Sequence, residues 1–227
     1  MTPTIMAQEA AEAPARIREQ LAANSSTIAA IVSQINQRAP KYVYMVGRGS
    51  SDHAGVFAKY LIEIEIGLPV VHSAPSIASV YNKQLQLTDA LVLVISQSGR
   101  SPDILAQVAM AKAAGAMVVA LVNDTTSPLA EQADFVVPLF VGPEKAVAAT
   151  KSYLATLSAL LQLVAVWSQQ PELLNAVNAL PELLLQAQAL PAQLTPEGVA
   201  NVKHGVVLGR GPGYAIAREI ALKLKEV

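Results

Sequence analysis

The first forty residues carry apolar side chains at helical spacing. One face consists of a set that recurs every three or four positions: Ile28, Ile31, Val32 and Ile35. This period predicts amphipathic helices, which we place at about residues 5–20 and 25–38. We therefore expect a helical segment over residues 1–40.

From residue 41 onward, short apolar runs alternate with helical patterns. The run 90–96 (ALVLVIS) is apolar almost throughout, which is typical of a parallel strand covered on both faces. Further strands are predicted at 42–46, 69–72, 116–122 and 135–139, and helices at 52–66, 102–114, 127–133 and 150–167. This order predicts an α/β domain over residues 41–168, with a doubly wound parallel sheet.

The remaining sequence predicts a linker and part of a second domain. Residues 169–204 are rich in Leu, Ala and Gln and contain four prolines, which predicts short helices joining two domains. Residues 205–211 then repeat the pattern of 43–49, an apolar run that ends in Gly-Arg-Gly. We interpret this as an internal duplication, with 205–227 as the truncated start of the second copy. A single strand and helix cannot cover their own apolar faces, so we expect further chain or a partner to cover them.

Composition and charge exclude several classes of protein. Hydrophobic residues make up 52% of the chain and charged residues 15%, which excludes a disordered protein. The formal net charge of -1 gives no attraction for nucleic acid or for an anionic membrane. The N-terminus has no apolar block typical of a signal peptide, and the uncharged stretch 152–171 contains enough polar residues to predict a buried helix. We expect a cytoplasmic protein, and we expect this long apolar helix to support a dimer.

A serine-rich loop follows the apolar run at 90–96. Ser101 and Pro102 account for the start of the next helix as its cap and first residue. Ser96, Ser98 and Gly99 are left unexplained by capping. Hydroxyls and backbone N–H groups at a helix N-terminus suit a phosphate, although a merely polar turn has similar residues.

Another serine-containing loop, Gly-Arg-Gly-Ser-Ser-Asp, ends the first predicted strand. It lacks the third glycine of a dinucleotide fingerprint, and the chain has no nucleotide-triphosphate loop motif. Both loops leave the carboxyl edge of one sheet, so Ser50 and Ser51 can reach the same ligand as the serine-rich loop that follows residues 90–96.

Four motifs together resemble a known family. They are GRGSSDHAG (47–55), SQSGRSPD (96–103), AVAATKSY (146–153) and GRGPGYAIAREIALKLKE (209–226). In combination they are similar to the double-domain phosphosugar enzymes of the sugar isomerase (SIS) family. The resemblance implies a flavodoxin-like, three-layer α/β/α fold, a homodimer, and neither a metal nor an organic cofactor.

The resemblance also implies roles for individual residues. The phosphate would be held by four hydroxyls: Ser51, Ser96, Ser98 and Ser101. The sugar would be lined by Ser50, Gln97 and Val147, with Thr150 nearby. Glu226 would move a proton between C1 and C2, and Lys223 would stabilise the enediolate-like charge. Without the resemblance, these last two residues look like an ordinary solvated helix end.

The activity implied by the resemblance is the isomerising deamination of glucosamine 6-phosphate. Members of the family that take ammonia from glutamine use a cysteine nucleophile, and this chain has no cysteine. The alternatives are an aldose–ketose phosphosugar isomerase and a non-catalytic module that senses a phosphosugar. The family's ring-opening histidine and C-terminal lysine follow the KLKE motif, so we expect a complete site to need residues beyond 227 and a partner subunit.

Overall fold

A parallel sheet forms the centre of the chain. The computed structural model describes residues 3–191 and 194–226. Within them the strands are β1 (Tyr42–Val46), β2 (Val70–His72), β3 (Ala90–Ser96), β4 (Met117–Val122) and β5 (Phe135–Pro138). They pair in parallel in the order β2-β1-β3-β4-β5. The predicted doubly wound α/β class is confirmed, and each strand lies close to its predicted position.

Helices cover both faces of this sheet. Those that follow the strands are α2 (Ser50–Glu65), α3 (Ser76–Ser79), α4 (Pro102–Ala113), α5 (Pro128–Gln132) and α6 (Lys151–Ser168). Alternate residues of β3 point into two separate apolar clusters: Leu91 and Leu93 into one with α2 and α6, Val92 and Val94 into one with α4 and α5. The three-layer arrangement explains why β3 is buried along its whole length.

The N-terminal segment is one helix, α1 (Ile5–Arg38), where the sequence predicts two. The buried face of the helix continues through the predicted break. Gln20 and Asn24 occupy core positions there and are buried, although their side chains are polar. The Gln20 amide donates to the Ala155 carbonyl at 3.0 Å, and the Asn24 amide donates to the Pro138 carbonyl at 2.9 Å. Hydrogen bonds thus make polar side chains acceptable in the core, which hides the helical period from the sequence.

Helix α6 has its apolar faces covered within the chain. It contacts α1, α2 and α7 (Pro171–Gln188), and residues such as Leu160 and Val164 are fully buried. This confirms a buried helix at the uncharged stretch, and no helix in the described part of the chain is long and apolar enough to cross a membrane. The faces of α6 therefore give no argument for a dimer, and the homodimer remains a prediction.

The C-terminal part differs from the predicted linker and second copy in two details. Helix α7 continues through Pro181, because Leu173, Leu180 and Leu184 pack on the main core on both sides of the proline. After the short helix α8 (Pro196–Val199), residues 205–210 form no strand, and only the helix α9 (Pro212–Glu226) forms. A strand needs a neighbouring strand for its hydrogen bonds, and none lies beside this segment in the described residues. The division at 1–40, 41–168, 169–204 and 205–227 remains a prediction.

Replacing Ile28 by alanine tests whether α1 belongs to the core. Ile28 is 0% exposed, so we expect the free energy of unfolding to fall by about 2–5 kcal/mol. Ile5→Ala on the same helix is the control, since Ile5 is 57% exposed and should cost less than about 0.5 kcal/mol. Urea unfolding of both variants gives the comparison, and equal losses would show that α1 is not part of the core.

Candidate active site

The two serine loops meet at the carboxyl edge of the sheet. The first lies between β1 and α2, and the second lies between β3 and α4. Arg48 of the first loop donates a hydrogen bond of 2.6 Å to the carboxylate of Asp103, a residue that follows the second loop. Gly99 has a positive φ of 64°, and a side chain there would collide with Ser127. The second loop therefore depends on glycine for its turn.

In the second loop, one serine hydroxyl forms a hydrogen bond within the described part of the protein and two do not. Ser96 is buried at the end of β3, and its Oγ accepts a hydrogen bond from the Gly99 N–H at 3.1 Å. Ser101 occupies the cap position of α4, but its side chain makes no capping hydrogen bond. The predicted start of α4, with Ser101 at the cap position and Pro102 in the first turn, is therefore confirmed, although the Ser101 hydroxyl does not form the expected capping bond. The hydroxyls of Ser98 and Ser101 have no partner among the described residues.

A small cavity connects the two loops to α6. Its volume is about 50 Å³, and its polar lining is Ser50, Ser51, Gln97, Ser152, Tyr153 and Thr156. Three of the predicted ligand contacts, one from the second loop and two from the first, therefore lie together. Ser96, Ser98, Ser101, Val147 and Thr150 lie outside this lining.

The loop before α6 is organised by Glu144. The backbone N–H groups of Thr150 and Ser152 donate to its Oε1 at 3.0 and 3.2 Å, and the Thr150 hydroxyl contacts the same oxygen at 3.4 Å. The Ser152 hydroxyl donates to Oε2 at 2.5 Å. Thr150 is therefore engaged within its own loop, whereas Val147 projects fully into solvent. The structure does not bring these two predicted residues to the cavity.

Helix α1 holds the same loop from the other side. Glu9 is 6% exposed and accepts hydrogen bonds from the backbone N–H groups of Lys145 and Ala146 at 2.5 and 3.1 Å. The buried ammonium of Lys151 lies 2.7 Å from the Glu12 carboxylate. Two carboxylates one turn apart thus fix the position of the loop and of the first residue of α6.

Both predicted catalytic residues lie on α9, which packs against α2. The Lys223 ammonium lies 3.3 Å from the Ser50 hydroxyl and 2.8 Å from the Glu226 carboxylate. Desolvation acts to lower the pKa of Lys223, but the hydrogen bonds and attraction of Glu226 and Glu219 outweigh it, and the pKa is raised. Lys223 is therefore a permanent positive charge beside the first serine loop, suited to stabilising an anion and unsuited to acting as a base.

Glu219 is a central residue of the site that sequence reasoning missed. It is buried, and its carboxylate accepts from the Ser50 hydroxyl and from Nδ1 of His53, both at 2.8 Å. The Lys223 ammonium lies 3.2 Å away. The available signal was its position one turn before Lys223, on the same face of the helix. Glu219 joins α9 to the first turn of α2.

A second polar contact joins the same two helices. The Asp52 carboxylate accepts from Nδ1 of His72 at 2.8 Å and from Arg218 at 3.1 Å. The hydrogen bond from His72 is the main cause that lowers the pKa of Asp52, with attraction to Arg218 adding to it and desolvation opposing. Asp52 thus fixes both a sheet-edge histidine and α9.

Comparison with known proteins gives a consistent result. Residues 38–166 match the model of the SIS domain family. The glutamine–fructose-6-phosphate aminotransferase (isomerizing) of Symbiobacterium thermophilum is 34% identical over 98% of this chain and 39% of its own length. A solved structure from Silicibacter pomeroyi, provisionally named a phosphosugar isomerase, has 38% identity and a TM-score of 0.94 over 99% of this chain and 68% of that chain. Glucosamine-6-phosphate deaminase from Thermotoga maritima shares the fold, with 19% identity and a TM-score of 0.64 over 92% of this chain and 66% of that one. The chain spans less than half the length of the curated relatives it matches.

Replacing Glu9 by glutamine tests the attachment of the loop to α1. The amide keeps the size of the side chain but loses one of the two acceptors for the N–H groups of Lys145 and Ala146. We expect amide hydrogen exchange at these two positions to become about ten-fold faster, as expected for one lost charge-assisted hydrogen bond. Glu19→Gln, an exposed residue of α1 paired only with Arg16 in the described structure, is the control. Unchanged exchange at 145 and 146 in Glu9→Gln would contradict the assignment.

The pH dependence of stability tests the contacts of Asp52. Its pKa is lowered on folding, so its contacts with His72 and Arg218 stabilise the protein above the ordinary aspartate pKa of about 4, and this contribution is lost as the pH falls through the folded-state value. Asp52→Asn should therefore be less stable than the wild type at neutral pH. The difference in unfolding free energy should shrink as the pH is lowered from about 4 towards 2. Urea unfolding at several pH values measures it, and a difference that stays constant with pH would contradict the expectation.

Proposed function

Because the chain belongs to the SIS domain family, we propose that its serine loops bind the phosphate of an amino-sugar phosphate, with Lys223 and Glu226 acting on C1 and C2. The proposed reaction is the isomerising deamination of glucosamine 6-phosphate. The observation that carries the proposal is the contact of the Lys223 ammonium with both the Glu226 carboxylate, at 2.8 Å, and the Ser50 hydroxyl, at 3.3 Å. It joins a base and a fixed positive charge to the loop expected to bind the substrate.

The phosphate contacts are proposed from the hydroxyls at the start of α4. Ser98 and Ser101 have hydroxyls without protein partners among the described residues, and α4 directs its N-terminal N–H groups to the same place. Ser51 at the start of α2 would complete the cradle from the first loop. Ser96 supports it by holding the Gly99 turn closed. A phosphate held in this way interacts with hydroxyl and peptide dipoles.

The chemistry needs one base and one electrostatic partner. In the open-chain aldehyde form of the substrate, the Glu226 carboxylate removes the proton from C2 and returns it to C1. The negative charge that develops on O1 is stabilised by the Lys223 ammonium. As C1 is protonated, the C2–N bond becomes a double bond and one proton of the amino group passes to O1, which gives an imine at C2 and a hydroxyl at C1. The imine adds one water and releases ammonia, which leaves fructose 6-phosphate. Neither a metal nor an organic cofactor takes part in this scheme.

One feature of the sequence favours a deaminase or a ketose/aldose isomerase within the family, and the ammonia assay described below separates these two activities. The loop SQSGRSPD, with Ser-Pro-Asp after the glycine turn, is more similar to deaminases and ketose/aldose isomerases than to other members of the family. We further propose that the protein acts as a cytoplasmic homodimer. A complete site then includes groups beyond residue 227 and from the partner subunit.

The direct test is to incubate the full chain, as it occurs in the cell, with glucosamine 6-phosphate. Equal amounts of ammonia and fructose 6-phosphate are expected. Interconversion of aldose and ketose phosphates without ammonia would assign a plain isomerase instead. Binding without any turnover would assign a phosphosugar-sensing module, and the absence of binding would overturn the proposal.

Glu226→Gln tests the role of the base. We expect turnover to fall by about 10²–10⁴-fold, because the amide cannot accept the C2 proton. The dissociation constant for glucosamine 6-phosphate should change by less than about three-fold, because the phosphate contacts lie elsewhere. Glu131→Gln, an exposed carboxylate on α5, is the matched control and should leave turnover unchanged. Normal turnover in Glu226→Gln would remove the assignment.

A further inference from the structure

The hydroxyl of Tyr153 is a buried polar group that the proposed mechanism does not use. Tyr153 lies in the first turn of α6 and is 7% exposed. Its Oη is fully buried and has no hydrogen-bond partner among the described residues. Buried tyrosine hydroxyls normally have a partner, because removing the group from water without one costs free energy. Such a group therefore calls for an explanation.

Tyr44 shows how the same chain treats a tyrosine hydroxyl inside its core. Tyr44 is also buried, in the cluster on the opposite face of the sheet. Its Oη donates to Oε1 of Gln107 at 3.2 Å. The buried amide of Gln107 in turn donates to the Pro75 carbonyl at 3.1 Å. The contrast with Tyr153 points to a role for the Tyr153 hydroxyl outside the packing of the core.

The surroundings of Tyr153 are those of a ligand site. Its side chain lines the cavity between the two serine loops, together with Ser50, Ser51 and Gln97. The volume of about 50 Å³ is enough for a small polar group. Desolvation, and then the negative charge of Glu219, raise the pKa of Tyr153. The hydroxyl therefore keeps its proton at neutral pH and can donate it to an acceptor.

We infer that Tyr153 is a further ligand-contacting residue, whose hydroxyl donates a hydrogen bond to a sugar oxygen of the bound phosphosugar in this cavity. The inference rests on the proposed function and adds a specificity residue to it. Glutamine at 97 and serine at 50 can each donate or accept, whereas the tyrosine offers a donor in a fixed direction from a rigid ring. The cavity thus favours a sugar that places an acceptor oxygen beside the ring.

Tyr153→Phe in the full chain tests the inference, because it removes only the hydroxyl. Titration calorimetry with glucosamine 6-phosphate should give a dissociation constant about ten-fold higher than for the wild type. The Tm of the free protein should be unchanged or raised, since a buried hydroxyl without a protein partner is lost. Tyr44→Phe is the matched control, and it should show the reverse: a lower Tm and an unchanged dissociation constant.

Ser98→Ala in the same experiment separates this inference from the proposed function. Weaker binding in both Ser98→Ala and Tyr153→Phe, with the Tm of Tyr153→Phe maintained, supports both. Weaker binding in Ser98→Ala alone would overturn the role of Tyr153 and leave the proposed function standing. A Tyr153→Phe variant that loses Tm to the same extent as Tyr44→Phe would assign the hydroxyl to structure. If the wild type binds no phosphosugar, the proposed function is wrong and the inference falls with it.

Discussion

Burial of the central strands on both faces is the constraint on which the rest of the structure depends. Every residue of β3 and β4 is buried, so helices must cover the sheet on two sides. Parallel strands joined by such helices end at one common edge. The topology of the sheet alone therefore brings the loops after β1 and β3 to the same edge. The hydrogen bond between Arg48 and Asp103 then joins the two loops.

Three carboxylates, each on a different segment, determine how the site is assembled on this sheet. Glu9 of α1 holds the loop before α6 through backbone N–H groups, and Glu144 closes the same loop on itself. Glu219 of α9 holds the start of α2 through Ser50 and His53. A carboxylate has two oxygens and only accepts, so each can collect several donors from chain segments that are otherwise separate. The backbone around the cavity is thus positioned mainly by charge-assisted hydrogen bonds, with apolar packing supplying the support beneath it.

The sheet could be predicted from the sequence because its strands are short, apolar and separated by clear helical patterns. The single helix α1 could not, because Gln20 and Asn24 interrupt the apolar stripe and become suitable for the core only through partners more than a hundred residues away. The loops bearing Ser50 and Ser98 were identifiable from local composition. Glu219 and Tyr153 were not identified: the one signal for Glu219 was its position one turn before Lys223, and nothing in the sequence around Tyr153 shows that its hydroxyl has no protein partner among the described residues. The strand expected near residue 206 does not form, because a strand needs a neighbouring strand for its hydrogen bonds and an apolar run alone does not supply one.

The attachment of α9 has a consequence of its own. Between α7 and α9, the described residues are mostly exposed, and of α9 only Ala215, Ala217 and Glu219 are buried. Docking of α9 on α2 is therefore an intramolecular association, in which Ala215 and Ala217 are buried and in which Asp52 and Glu219 accept hydrogen bonds between the two helices. Lys223 and Ser50, 173 positions apart in the chain, are within reach of each other only while that association holds. The position of Lys223 and Glu226 beside the serine loops therefore depends on the contacts between α9 and α2, and not on the sheet itself.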